Sequence, residues 1–132
     1  MVFGRIFNRP EPVFRPTAAF ASAGTATSAV DISQIGPRMV AVVVPSGWTP
    51  GADLILQGSA SGMNWTTLCN TANVTLRLSG LSAISAPRAV PFAAEAMTLG
   101  MFNHIRLLSV SAGNDGLIQQ TSGRTVTFLL GG

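Results

Sequence analysis

Through most of the chain, apolar residues recur at every second position or in short unbroken runs, with Gly, Pro, Ser and Asn between them. A period of two is that of β-strands, whose side chains alternate between two faces. Val74, Leu76 and Leu78 alternate with Thr75 and Arg77, which predicts a half-buried strand closed by Ser79-Gly80. Residues 39–44 are apolar on both faces and predict a central strand. Turn signals follow at Pro45-Ser46-Gly47 and Trp48-Thr49-Pro50-Gly51. Val30 and Ile32 begin a short strand that ends by Gly36-Pro37. Residues 54–57 predict another strand, then a small-residue loop over 59–62 and a short strand over 65–68. Over residues 104–110, Ile105, Leu107 and Ser109 share one face. Gly113-Asn114-Asp115-Gly116 is a turn, because these residue types tolerate left-handed backbone. Residues 117–120 and 125–130 complete the strands, with Ser122-Gly123 turning between them. Residues 81–100 are ambiguous, and 93–99 suit either a short helix or a loop crossing the end of a sandwich. Seven or eight short strands at regular spacing predict an all-β fold, a single β-sandwich or jelly-roll-like domain.

The first 29 residues break the pattern. Pro10, Pro12 and Pro16 hold the residues before them extended. Four of the seven phenylalanines, Phe3, Phe7, Phe14 and Phe20, lie here with Arg5, Arg9 and Arg15 between them. An exposed tail does not normally carry so much aromatic surface, so the segment predicts an extended arm buried against a partner. Folding back over its own domain is the alternative. Residues 21–29, all small or polar, predict a flexible joint. The expected organisation is an arm and joint over 1–29 and a β-sandwich domain over 30–132.

Composition narrows the class. A chain of 132 residues and 13.6 kDa fits one domain. Charged residues make up 10% against a usual ~25%, and hydrophobic residues 47%, which argues against disorder. The implied surface of small neutral groups suits a molecule packed against neighbours. The net charge is +3, and all eight cations are arginines. They are scattered rather than aligned in the stripe that phosphate tracking needs, so no nucleic-acid partner is expected. Arginine suits buried interface pairs instead. Cys69 is the sole cysteine, which excludes an intramolecular disulfide and reads as a small buried hydrophobe. The N-terminal residues lack the apolar run of a secretory signal, and the longest apolar run is too short to cross a bilayer, so no membrane partner is expected.

No constellation for catalysis stands out. His104 is the sole histidine, and no spacing brings Asp31, Asp53, Glu95 or Asp115 beside it and a nucleophile. One His and one Cys do not make a zinc site unaided. Asn114-Asp115-Gly116 offers oxygens to calcium but reads as a hairpin turn. The expectation is a non-enzymatic chain with no cofactor, metal or catalytic residue.

Two resemblances add to this. Residues 59–68, with Ser59, Gly62, Trp65 and Leu68, resemble the S-x-D-G-x-x-W-x-x-L hairpin of discoidin-like, galactose-binding-type β-sandwiches, with Ser61 where that pattern has Asp. Asn103-His104-Ile105-Arg106-Leu107 is similar to the R-Y-[VI]-R-[LI] strand of such domains. The resemblance implies a sandwich with Trp65 as a core anchor and Arg106 between buried Ile105 and Leu107, and it carries over no ligand site. The whole chain also looks like small virion proteins of tailed bacteriophages, in its arm, joint, lysine-free β-body and lack of a site. That resemblance implies a capsid cement or decoration protein on the virion surface. Its partner would be the major capsid protein or another virion protein, and the chain would form a homo-oligomer, a trimer favoured. Phe3, Arg5, Phe7, Arg9, Phe14, Arg15 and Phe20 would be the partner-binding residues. A neck, tail or baseplate component is the alternative, as is a carbohydrate- or receptor-binding module using a loop aromatic. Trp48, between Gly47 and Pro50, is the first candidate for that loop contact and Trp65 the second, with core packing the leading alternative for Trp48.

Overall fold

The structure, a computed structural model, describes residues 13–33, 39–69, 72–81, 84, 87–92 and 102–131. These form ten strands: β1 (Val13–Phe14), β2 (Thr17–Phe20), β3 (Val30–Asp31), β4 (Met39–Val44), β5 (Ala52–Ser59), β6 (Thr66–Thr67), β7 (Arg77–Leu78), β8 (Arg88–Phe92), β9 (His104–Ser111) and β10 (Arg124–Gly131). No α-helix occurs among the described residues.

The strands make two antiparallel sheets. In one, β4 lies between β8 and β10, and β1 and β2 share the far edge of β10. In the other, β9 lies between β3 and β5, and β6 and β7 share the far edge of β5. Counting each shared edge once reduces ten strands to eight strand positions. In chain order, positions 1, 8, 3 and 6 form the first sheet and 2, 7, 4 and 5 the second. The chain is an all-β sandwich with this jelly-roll order.

Alternation along the long strands builds the core. Val126, Phe128 and Leu130 of β10 and Val42 and Val44 of β4 face Leu54 and Leu56 of β5 and Ile105 and Leu107 of β9. β-Branched and aromatic residues suit such half-buried pleats. Gly58 has a specific reason: a Cβ there would lie 2.7 Å from the Phe102 ring, so only glycine lets that ring rest on β5.

Several expectations change. The first sheet includes Val13–Phe14 and Thr17–Phe20, ahead of Val30. Ala18 and Phe20 point into the core, and the Phe128 N–H donates to Pro16 O at 2.8 Å. The predicted joint is an ordered crossover between the sheets. Ala23 N–H donates to Gln120 O at 2.7 Å, Gln120 N–H to Gly24 O at 2.9 Å, and Ser109 N–H to Thr25 O at 2.7 Å. Thr27 is buried, and its Oγ1 accepts the Leu107 N–H at 3.0 Å. Small side chains serve here because the backbone runs tightly along β9, with Ala23 turned to φ 64°.

The strand expected over 117–120 reduces to one bridge, Leu117 to Val110. Gln120 leaves the pattern because it is a buried strut: its Nε2 donates to Ser109 Oγ at 2.9 Å, and its Oε1 accepts the Thr49 N–H at 3.2 Å. Val74 is exposed, and the strand around it narrows to β7. β8 falls in the ambiguous stretch, where Pro91 suits an edge strand. Residues 93–99 lie outside the described residues.

Candidate interaction surfaces

The expected partner-binding residues separate into three groups. Phe3, Arg5, Phe7 and Arg9 lie outside the described residues. Phe14 enters β1 opposite Leu130, and Arg15 is exposed at the break between β1 and β2. Phe20 does not meet a partner. It is 1% exposed in the core, because the register of β2 on β10 turns it inward opposite Arg124. Trp48, the candidate loop contact whose leading alternative is core packing, is a core residue at 4% exposure. Its ring meets Phe20 edge-on, with centroids 5.8 Å apart, and its Nε1–H donates to Pro45 O at 2.6 Å. The Arg124 guanidinium, bonded to Gly47 O, clasps this turn to β10. The turn thus hides its aromatic instead of presenting it.

The outer face of the β5–β9 sheet mixes apolar Ile55, Leu108 and Val110 with polar side chains that bond to their neighbours. Arg77 donates to Asp53 Oδ2 at 2.9 Å and to Asp115 Oδ1, so one guanidinium joins two carboxylates. The Arg77 proton is held more tightly than usual, first through the Asp115 hydrogen bond, against the opposing effect of burial, and then through Asp53. Arg106 donates from Nε to Gln57 Oε1 at 2.9 Å, and its guanidinium lies 4.4 Å from the Trp65 ring centroid. Burial lowers the Arg106 guanidinium from its ordinary value. Trp65 is half-buried on this outer face, so it is not the core anchor that the hairpin resemblance implies. Arg106 does alternate with buried Ile105 and Leu107.

Register also aligns Asp31, His104 and Ser59 across three adjacent strands. Ser59, 1% exposed, accepts the N–H groups of Ser61 and Gly62 at 3.2 and 2.8 Å. Asp31 Oδ1 accepts the hydroxyl and N–H of Ser33 at 2.6 and 2.9 Å. The Ser33 hydroxyl, then its N–H, holds the Asp31 carboxyl below the usual range, and His104 adds a smaller push in the same direction. His104 Nδ1 is buried without a hydrogen-bond partner, so no bond from it links the row. Among the described residues, no group of three His, Cys, Asp or Glu side chains comes together as metal ligands.

The outer face of the β4–β10 sheet is built differently. Its outward positions are Thr17 and Ala19 of β2, Thr125, Thr127 and Leu129 of β10, Ala41 and Val43 of β4, and Ala89 of β8. Each is half-buried or exposed, and Ala18, Phe20, Val42, Val44, Val126, Phe128 and Leu130 between them point into the core. None is charged; exposed Arg15 borders the face at the β1–β2 break and exposed Arg88 at the start of β8.

The Asp31–His104–Ser59 row and the Arg106–Trp65 stack escape sequence reasoning, because both depend on which residues stand opposite across strands. Alternation did place Arg106 outward, and that was the available signal. No family model, curated protein or solved structure matches the chain.

Proposed function

We propose that the chain is a structural virion protein of the head cement or decoration kind, a β-sandwich held on a bacteriophage head by the residues that precede β1. The observation that carries this reading is the placement of β1. Val13, the first described residue, pairs with Gly131 at a sheet edge. Residues 1–12 bring Phe3, Arg5, Phe7 and Arg9, the residue types most often found as interface hot spots. Phe20 and Trp48 drop out of the interface, since the body uses both for its own packing. The carbohydrate reading thereby loses its first aromatic. Jelly rolls are common among viral capsid domains, which agrees with the reading without deciding it. The major capsid protein is the proposed partner, and self-association of the body would multiply attachment points.

The test uses full-length protein with Phe3, Arg5, Phe7 and Arg9 all replaced by alanine, mixed with heads stripped of the native chain. Loss of about two hot spots, each worth ~2 kcal/mol, lowers affinity roughly 1,000-fold in a co-sedimentation assay. Undiminished binding rejects the attachment mechanism. Copy number in purified particles separates head from tail: a decoration protein scales with the major head protein, whereas a neck or tail component does not.

A further inference from the structure

We infer that the Nη groups of Arg106, with Trp65 and Thr67 beside them, form a binding site for a singly charged sugar acid, a uronic acid or a saccharide that ends in one. This goes beyond attachment to a head and does not depend on it.

The site emerges from a comparison of three arginines. Among the described residues Arg77, Arg106 and Arg124 are the partly buried ones, whereas Arg15 and Arg88 are exposed. Arg77 gives its two Nη groups to Asp53 and Asp115. Arg124 gives its own to Ser122 Oγ, Gly123 O and Gly47 O. Arg106 gives Nε to Gln57 Oε1 at 2.9 Å, and among the described residues its Nη groups meet no acceptor. The carboxylates of this face are bonded to Arg77 or to Ser33, not to Arg106. Burial acts on the Arg106 guanidinium with no counter-charge to oppose it. A cation partly withdrawn from water gains most from an anion brought by a ligand.

The guanidinium is also held in place. It lies over the Trp65 ring, 4.4 Å from the centroid, and the Gln57 amide fixes its Nε edge. Gln57 is itself buried and donates from Nε2 to Thr67 Oγ1 at 3.4 Å. A stacked plane with one edge bonded leaves Nη1 and Nη2 as the unpaired donors. Two N–H groups in that fixed fork match the two oxygens of one carboxylate, and little conformational freedom is lost on binding.

Charge limits the ligand to one anion. Asp53 and Asp115 offset Arg77, and Asp31 stands on the same face. Arg106 is thus the one uncompensated cation among the described outward residues of this sheet. A nucleic acid or an acidic peptide brings several negative charges to Asp31 and Asp115, and a single carboxylate does not. The neighbours describe the rest of the ligand. Thr67 is exposed, and its hydroxyl accepts from Gln57, which leaves the O–H to donate. Half-buried Trp65 sets an apolar edge beside it. One carboxylate on a hydroxylated carbon ring meets all three. The site lies on an open sheet face, so a single sugar binds with a dissociation constant of about 1 mM.

NMR titration of the full-length protein tests this, read at the indole N–H of Trp65, with that of core Trp48 as the internal control. The probes are glucuronate, glucose, acetate and sulfate, each up to about 50 mM in ~0.1 M salt so that weak binding shows and diffuse charge is screened. Glucuronate moves the Trp65 signal in a saturable way and leaves Trp48 in place. Glucose, acetate and sulfate each bind at least ~10-fold more weakly, because each lacks the carboxylate, the hydroxylated ring or both. Arg106→Gln weakens glucuronate at least ~10-fold, and Arg106→Lys, which keeps the charge and loses the fork, weakens it by about as much. An unmoved Trp48 signal shows that both variants are folded, and the four-probe comparison on the parent protein stands without them. No saturable shift with glucuronate overturns the inference, as do binding that Arg106→Gln leaves unchanged and equal binding of glucose. Acetate or sulfate bound as tightly as glucuronate also overturns it, since the site would then hold an adventitious ion only. Head binding is expected to be the same for Arg106→Gln and the parent, so failure here leaves the attachment reading standing.

Discussion

On the β5–β9 sheet, the outward Asp53, Gln57, Arg77 and Arg106 are bonded to one another, to Asp115 or to Trp65. On the β4–β10 sheet, the outward Ala41, Val43, Thr127 and Leu129 carry no charge. Both faces rise from the same antiparallel pleat and back onto the same core. Yet outward Asp53, Ile55 and Gln57 are nearly as buried as the inward Leu54 and Leu56, because neighbouring side chains lie across them. Covering the ions of this face would strip water from them at a cost of several kcal/mol each. An uncharged face of small groups loses water cheaply. The chemistry of outward positions therefore separates a face whose ions bond within the fold from one whose described outward positions carry no charge.

The largest expected effect breaks that comparison at its strongest point. Replacing Arg77 with Leu leaves the Asp53 side chain, 8% exposed, with Ser79 Oγ at 3.3 Å as its remaining side-chain donor. Breaking a buried pair costs ~3–5 kcal/mol, and the surviving Ser79 contact puts the loss near ~3 kcal/mol. Thr127→Arg on the other sheet costs the monomer less than ~0.5 kcal/mol, as surface changes generally do. Urea unfolding at a concentration where both proteins are monomeric measures the two. Equal losses would mean that the faces do not differ in their contribution to the fold.

Part of this was legible in the sequence. The six-residue apolar run of β4 and the alternation in β9 and β10 mark those strands, because burial on one face or two leaves a period that survives without coordinates. The absence of charge at Thr125, Thr127 and Leu129 was visible too, but that Ala41 and Val43 extend the same face depends on the pairing of β4 with β10. Phe20 differs from its expected place for a related reason: composition shows aromatic surface needing burial and does not say what buries it. A crossover held by backbone bonds and a flexible linker both favour Ala, Ser, Thr and Gly, so residues 21–29 read as the looser of the two.

The stack of Arg106 on Trp65 is a smaller effect that sharpens the comparison. Its 4.4 Å separation and partial burial predict a coupling of about 0.5–1 kcal/mol in a double-mutant cycle of Arg106→Met and Trp65→Leu. Arg106→Met also unpairs Gln57 Oε1, but that cost appears in the single and double variants alike and cancels in the cycle. Additive losses would make Trp65 a bystander, and the placing of Arg106 would then rest on its hydrogen bond to Gln57 alone.

The smallest effect concerns acid. None of the described outward positions on the β4–β10 sheet titrates, whereas Asp31 sits on the outer face of the other sheet, opposite His104. Its folded pKa lies below the unfolded value of 3.8, chiefly because the Ser33 hydroxyl and N–H bond its ionised form. A group depressed on folding stabilises the protein fully above its unfolded pKa, and that contribution disappears as pH falls through the lower folded value. Ser33→Ala removes the larger cause and keeps the backbone N–H, so the Asp31 midpoint moves up toward 3.8 without reaching it. The carboxyl carbon of Asp31, followed by NMR, reports this directly. The stability deficit of Ser33→Ala should be present at neutral pH and shrink below the folded midpoint. The deficit of Thr127→Ala on the uncharged face should stay constant across the same range. A Ser33→Ala deficit that does not change with pH, or an unmoved Asp31 midpoint, would show that this hydrogen bond does not discriminate between the two charge states. Acid sensitivity could then no longer be used to tell the two faces apart.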